Sequence, residues 1–532
     1  MPDVHAKPLD GSRAVALSDP ASAVMPSVSF DTPSGLPTSF VAGYGVRAAQ
    51  GFSWMLLQTV FGKLAGIVTQ VVLGRLLLQD DFALVGLAYV VTAFAGIVQD
   101  AGLSQVLIHR QRRFRQWSNI VAWMSLASGL CAAALIAGAA PVAARIYQEP
   151  RLVPLLLLLA AGAPLNTIGV VPGVLLQITM RFRFLAIAQF GFTLLTASLT
   201  ILMATLDCGP YAIVVPPMLT AVVRGVIYWS VARPPLRYHP DFGRWRYVLG
   251  DSALILASAF FVTVTMQADN LVLGLLATKD VLGAYYFGFN LSMQTTLLIT
   301  ATLTSVLFPV LSKLQHEPQR QCAAFLQAAR IVALVGVPAC VLQASVADPI
   351  MRAVFGTKWL AAIPIVQILS VGSALQLVNA PAMSLIQAQG RFKIMFRLTV
   401  LLSMLFLMLV IVGAMAGGAI GVAVAATVAA GVGGLLVPTI AIRPAGRSVW
   451  DVLTLYVSPV AVAAAAACTA IILVGFVPTE KLSGRLGHAV QATLVAVSFG
   501  SFYVVVMCRI RAEDVADLWR RVIGLRQRAG RR

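Results

Sequence analysis

Apolar residues run along this chain in blocks of twenty or more, each interrupted by a short stretch carrying Lys, Arg, Asp, Pro or Gly. A helix of about 20 residues crosses a hydrocarbon core about 30 Å thick, and in lipid each backbone amide must find its partner within the helix. The pattern predicts spans near 52–78, 82–108, 117–140, 153–177, 185–206, 211–231, 248–268, 284–308, 326–347, 360–386, 394–415, 418–441, 452–475 and 489–508. The expected fold is therefore an all-α polytopic membrane protein of about fourteen helices.

The spacing of the polar breaks adds a repeat. "LLQITMRFRF" at 175–184 and "LIQAQGRFKI" at 385–394 share one pattern: two aliphatics, Gln, three residues, then Arg-Phe-basic. The two copies follow the fourth and the tenth span, so six spans separate them and they lie on one face of the membrane. "VVLGRLL" at 71–77 parallels "LVLGLLA" at 271–277, and "LSQVL" at 103–107 parallels "LTSVL" at 303–307. Two six-helix bundles in parallel orientation are expected, related by an axis along the membrane normal and enclosing a central cavity that rocking could open to either side. This divides the chain into a disordered tail (1–45), an N-terminal lobe (46–246), a C-terminal lobe (247–442), a final helix pair (443–508) and a basic tail (509–532).

Composition strengthens the membrane reading. The chain is 59% hydrophobic and 11% charged, whereas an ordinary soluble domain is about a quarter charged. Its formal charge of +19 comes from 39 Lys and Arg against 20 Asp and Glu. If the N-terminus is cytoplasmic and the bases at span ends (Arg75, Arg330 and Arg397) are counted with their loops, 29 fall on the cytoplasmic side and 8 outside, while Lys63 and Arg224 lie within spans, which accounts for all 39. Basic residues concentrate in short cytoplasmic loops, so both termini are expected in the cytoplasm of a bacterial inner-membrane protein. Bases spread over many loops facing anionic headgroups account for the net charge without a nucleic-acid partner. The clusters "HRQRRFR" and "RIRAEDVADLWRRVIGLRQRAGRR" read as topology determinants, or as contacts with anionic lipid or a partner enzyme. The six cysteines contain no Cys-x-x-Cys pair and indicate neither a metal site nor a disulfide framework.

Polar groups inside the spans are the candidates for function. Lys63 sits near the middle of the first span, where an unpaired cation costs about 2.5–3.5 kcal/mol, so it must face protein or water. Arg224 is placed similarly in span six, and Asp100 is the acid well inside span two. Two cations on a central cavity would suit a pyrophosphate or another anion; alternatively, Lys63 or Arg224 pairs with Asp100 and only orders the bundle. Asp251 and Asp269 lie near opposite ends of span seven. Gln267, Asp269 and Asn270 read as a helix end with its turn, or as a gate or coupling-ion site. Asp80 and Asp81 are taken as the matching turn of the first repeat. In the repeated motif, Arg181, Arg183, Arg391 and Lys393 either pin two cytoplasmic loops or recruit an anionic headgroup. Glycines 413, 417, 418 and 421 are expected to let helices approach closely, and Pro164, Pro172, Pro216 and Pro217 to bend them.

Taken in order, "GYGVRAAQGFSWMLLQ", "VVLGRLLLQDDFALVGLA", "LLQITMRFRFLAIAQFG", "ADNLVLGLLATKDVLGAYYFGFNLS" and "LFPVLSKLQ" resemble the Wzx-type polysaccharide flippases of the multidrug/oligosaccharidyl-lipid/polysaccharide exporter superfamily, over residues 45–508. The resemblance implies fourteen helices and transfer of an undecaprenyl-diphosphate-linked oligosaccharide to the outer leaflet, alongside glycosyltransferases and a polymerase of one pathway. It implies no cofactor, and a drive from membrane potential or a proton or sodium gradient. Unpaired hydroxyls cost about 2–7 kcal/mol each in hydrocarbon, so such a cargo needs a polar passage. No Gly-x-x-x-x-Gly-Lys-Ser/Thr loop is present for ATP. The competing readings are a cation-coupled drug antiporter of the same superfamily, a lipid II flippase, and a membrane polymerase or glycosyltransferase; the last would need an Asp-x-Asp motif or a long external loop, and neither is found.

Overall fold

The computed structural model describes residues 58–59, 61–100, 102–109, 114–179, 181–234, 245–476 and 484–510, and sixteen α-helices run through these described residues. The expected N-terminal tail, the start of span one and most of the basic C-terminal tail lie outside these residues. The helices are α1 (61–76), α2 (Gln79–Asp100), α3 (Leu103–His109), α4 (Phe114–Ile146), α5 (Leu152–Thr167), α6 (Val170–Ile178), α7 (Phe182–Thr205), α8 (Tyr211–Ala232), α9 (Trp245–Leu276), α10 (Lys279–Lys313), α11 (Pro318–Ile350), α12 (Ala362–Gln376), α13 (Asn379–Ala388), α14 (Phe392–Ile442), α15 (Val449–Gly475) and α16 (Arg485–Ile510).

The sixteen helices follow the fourteen predicted spans closely. Spans two, four and ten are each broken in two, as α2/α3, α5/α6 and α12/α13. Spans eleven and twelve run together as α14, which folds back at Gly417 (φ −152°, ψ 20°) and Gly418 (φ +56°, ψ −134°). These two glycines are a hairpin turn, whereas packing was expected of them. Gly413 and Gly421 do pack: a Cβ on Gly413 would come within 2.4 Å of the Gly421 carbonyl oxygen. Gly418 turns the chain in a positive-φ conformation that glycine adopts without steric cost.

The repeat is exact in backbone terms at two places. α1 and α9 end at residues 76 and 276, and α2 and α10 begin at Gln79 and Lys279. The counterpart of Asp80 is thus Asp280, in the first turn of α10. The expected match with Asp269 is corrected, because α9 runs seven residues beyond it and the turn falls at 277–278. In the repeated motif, Arg181 caps α7 with φ −77°, ψ 46° and Arg391 caps α14 with φ −85°, ψ 49°. Each donates its backbone N–H to the carbonyl five residues earlier, Leu176 and Ile386, at 3.1 Å.

The helix breaks have a chemical cause. Pro172 has no N–H to donate to the Ile168 carbonyl four residues back, so the helix stops there and restarts as α6; the freed Ile168 oxygen accepts from the Trp229 indole at 2.9 Å. Span ten breaks at Leu377–Val378, with Pro381 again at the third helical position of the next segment. There the hydroxyl of Tyr456, on α15, donates to the Leu375 carbonyl (2.9 Å) and accepts from the Val378 N–H (3.4 Å). Helices α1–α8 form lobe 1 and α9–α14 lobe 2, while α15 and α16 lie against α11. Lobe 1 touches lobe 2 mainly through α2 against α9 and α10. Gly283 makes this approach possible, since a Cβ there would lie 2.0 Å from the Gln79 carbonyl oxygen.

Candidate functional site

Short turns on one membrane face join spans one to two, three to four, seven to eight and nine to ten. There the two lobes exchange contacts reciprocally. The loop before α5 carries Glu149, 3% exposed, whose carboxylate accepts from Arg151 of its own lobe (2.8 Å) and from Lys279 of lobe 2. Arg151 also reaches Asp80 at 2.5 Å. The Arg151 and then the Lys279 hydrogen bonds hold the Glu149 carboxyl down at about 2, and its carboxylate partners push Arg151 upward.

The opposite exchange comes from the loop before α12. Trp359 donates its indole N–H to the Gly74 carbonyl (2.7 Å), and Lys358 donates to Leu77 O. Burial pulls the Lys358 ammonium below its usual range, against the raising influence of Asp81. Arg75 donates to the Val354 carbonyl at 2.7 Å. Beneath these bonds Phe82 of lobe 1 packs edge-on to Phe287 and Trp359 of lobe 2, centroids 5.3 Å apart in both cases. Such aromatic pairs add about 0.5–1.5 kcal/mol each beyond area burial. A seam of this kind is dry in its aromatic layer and ionic at its rim.

On the other face, α3 packs on α4 and α6 of its own lobe, and in the last turn of α10 the Leu311 carbonyl accepts from Gln321 of α11 at 2.9 Å. The two Arg-Phe-basic loops lie on this face. Arg391 donates to the Ile440 carbonyl (3.0 Å) and to Gln389 (3.1 Å), while Gln389 donates to the Ala441 carbonyl (3.0 Å). The second copy of the motif therefore ties its loop to the free carbonyl end of α14, where a cation is favourable. Arg181, Arg183 and Lys393 are exposed.

Within lobe 1, α1, α5, α7 and α8 line an open cavity of about 390 Å³. Arg224 lines it and donates to Asn166 Oδ1 at 3.4 Å. Asp100 is exposed at the end of α2, and Arg224 pairs with no carboxylate among the described residues. Lys63 lies on α1 one turn before Gly66, outside the cavity lining and without a described partner. The two intramembrane cations are therefore not brought together. A second cavity, about 180 Å³, occupies the corresponding place in lobe 2, between α9, α10, α12 and α14. Gly209 and Gly418, both at φ +56°, mark the start of the sixth helix in each lobe; counted from them, Arg224 corresponds to Gly433, which lines the second cavity.

Asp269 is 1% exposed. It accepts from the Tyr285 hydroxyl (2.9 Å) and the Asn270 N–H (2.8 Å), within α9 and not in a turn as the sequence implied. Gln267 Oε1 and Asn270 Oδ1 are buried without a partner among the described residues. Asp251 lies in α9 as expected, its side chain outside the described set.

Two parallel six-helix lobes latched along one face, with a terminal helix pair, define the fold of the multidrug/oligosaccharidyl-lipid/polysaccharide superfamily. Residues 72–364 match the family described as polysaccharide biosynthesis protein, and the chain belongs to that family. Among relatives, it is 28% identical to the teichuronic acid biosynthesis protein TuaB of Bacillus subtilis, over 65% of this chain and 72% of that protein. It is 22% identical to the lipopolysaccharide biosynthesis protein WzxC of Escherichia coli, over 66% and 72%. Of solved structures, the lipid II flippase MurJ in an inward closed conformation aligns with a TM-score of 0.69 at 13% identity, covering 86% of this chain and 99% of that one. An inward-facing multidrug resistance MATE transporter aligns at 0.59 and 16% identity, over 74% and 96%. At such identities the structural likeness speaks for the fold.

Proposed function

We propose that this protein flips an undecaprenyl-diphosphate-linked oligosaccharide from the cytoplasmic to the outer leaflet of the bacterial inner membrane, by alternating access, for assembly of a surface polysaccharide. The observation that carries the reading is the seam: two quasi-symmetric lobes held together on one face by side chains that each lobe lends to the other. Contacts of this sort can break as a unit, because the turns are short and α2 carries most of the remaining contact with lobe 2, against α9 and α10. The family contributes the cargo class, since TuaB, WzxC and the succinoglycan biosynthesis transport protein ExoT are named for polysaccharide pathways. The charge bias puts the seam on the outer face and the Arg-Phe-basic loops in the cytoplasm. The sealed state is then one that loads from the cytoplasm, between glycosyltransferases that build the repeat and a polymerase that uses it. Membrane potential or a proton or sodium gradient supplies the drive.

The test is a flipping assay on the full chain in proteoliposomes, following a labelled undecaprenyl-diphosphate oligosaccharide as it becomes accessible on the opposite leaflet. Protein-dependent exposure, accelerated by an imposed potential or ion gradient, is the expected result. No exposure, in vesicles where a control flippase moves its own cargo, would overturn the reading.

A further inference from the structure

The bases that open α14 divide between two uses. Arg391 is spent inside the protein, on the Ile440 carbonyl and Gln389. Lys393 and Arg397 are exposed, and neither has a partner among the described residues. Four residues apart, they share one face of the helix, about 6 Å from each other along its axis. Residues 392–442 contain no Asp or Glu, so α14 itself offers no carboxylate to either base. The same face runs on through Leu401, Met404 and Met408, each half exposed or more. The opposite face is the packed one: Leu398 is buried, and Ser403 donates to the Phe261 carbonyl of α9 at 2.8 Å.

Arg397 to Met408 covers about 16 Å of helix, roughly half of the 30 Å hydrocarbon core and so the depth of one leaflet. Two cations followed by one leaflet's depth of uncovered apolar surface have the outline of a single phospholipid. Long basic side chains lean toward the helix N-terminus and snorkel, which in the orientation proposed above carries both charges to the cytoplasmic headgroup level. Phe392, half exposed, stands at the same level, where aromatic rings settle. The thioethers of Met404 and Met408 conform to chains of varied shape. Topology alone does not ask for the second base. Counting on from Arg181 and Arg391, Lys393 corresponds to Arg183 but Arg397 to Ile187, an exposed aliphatic.

We infer that this face of α14 holds an anionic phospholipid of the cytoplasmic leaflet, its headgroup phosphate on Lys393 and Arg397 and one acyl chain along Leu401, Met404 and Met408. Ammonium and guanidinium donors make charge-assisted bonds to phosphate, and two bases near the surface favour a headgroup of net negative charge over a zwitterionic one. The lipid is a resident on the outside of lobe 2, and its binding does not depend on what the protein transports. A polyprenyl diphosphate and free phosphate share the phosphate chemistry, and competition separates them from the phospholipid.

The test uses the full chain in phosphatidylcholine vesicles that carry a trace of phosphatidylglycerol with a diazirine midway along one acyl chain. After irradiation the labelled peptides are mapped. Labelling is expected on residues 401–408, about tenfold stronger than that given by phosphatidylcholine with the same photoreactive chain. It should fall about tenfold in Lys393→Gln/Arg397→Gln and persist in the charge-preserving Lys393→Arg/Arg397→Lys. It should also persist in Lys313→Gln/Arg320→Gln, which removes the same charge from exposed positions elsewhere on that membrane face. Equal labelling of wild type and Lys393→Gln/Arg397→Gln overturns the inference, and so does equal labelling of the wild type by the two probes, a comparison that needs no variant. Excess unlabelled phosphatidylglycerol should abolish the labelling, while undecaprenyl diphosphate and inorganic phosphate at the same excess leave it. Loss to undecaprenyl diphosphate would give the surface to the carrier lipid and loss to inorganic phosphate would make it a phosphate site, and either result overturns the phospholipid assignment.

Discussion

Glu149 shows how one side chain can hold two bundles together. It is buried, yet it meets Arg151 and Lys279, which are half exposed, so the loss on removing its charge is limited to about 1–2 kcal/mol. Glu149→Gln is expected to raise the open-to-closed ratio at the seam about tenfold, read as longer spin-label distances across the lobes. The pH response follows from its depressed pKa. A carboxylate near 2 in the closed state, against about 4.3 when released, contributes fully above about pH 4.5 and loses its contribution as pH falls toward 2. Between pH 8 and pH 5 the same distances should therefore not change, and an opening at pH 5 that Glu149→Gln abolishes would contradict this assignment. None of these residues stood out in the sequence. Arg151, Lys279 and Lys358 were simply bases on the side that charge bias depletes. That very position was the available signal, because a base kept where topology disfavours it needs a local partner. Arg224 was legible as a cation within a span, but its separation from Lys63 was not, since spacing along two helices does not fix which faces meet.

Fourteen spans and the two repeated loops were readable from apolar length and from the Arg-Phe-basic pattern, because both are set by local chemistry. The breaks inside spans four and ten were not, although the sequence held their cause. Pro172 and Pro381 each sit three residues into a restarted helix, and each orphaned backbone group needs a distant side chain that no local rule supplies. Span seven was ended too early at Asp269 and Asn270, where polar residues looked like a turn and are instead packed against Tyr285. The Tyr456 hydroxyl makes α15 a splint for the broken tenth span. Tyr456→Phe should destabilise the protein by about 1–2 kcal/mol and raise hydrogen exchange at Val378 while leaving exchange at the Ile168 break unchanged. Unaltered exchange at Val378 would show that the break is held by other contacts.

For the whole molecule, the parallel repeat implied two lobes and a passage between them, and the structure adds where the lobes close and that Arg224 lines the cavity of lobe 1 where Gly433 lines that of lobe 2. Neither follows from a repeat, because symmetry is silent on how its two copies differ. The account turns on the seam opening during transport, and Gly86 and Tyr286 offer a direct hold on it. They face each other across α2 and α10, and a Cβ on Gly86 would lie 3.7 Å from the Tyr286 Cβ, within disulfide reach. A Gly86→Cys/Tyr286→Cys protein, with the six native cysteines replaced, should flip its lipid-linked oligosaccharide when reduced, stop when oxidised, and recover on reduction. Transport that continues at the reduced rate with the disulfide fully formed would mean that the cargo crosses without the seam opening, and alternating access between these lobes would be wrong.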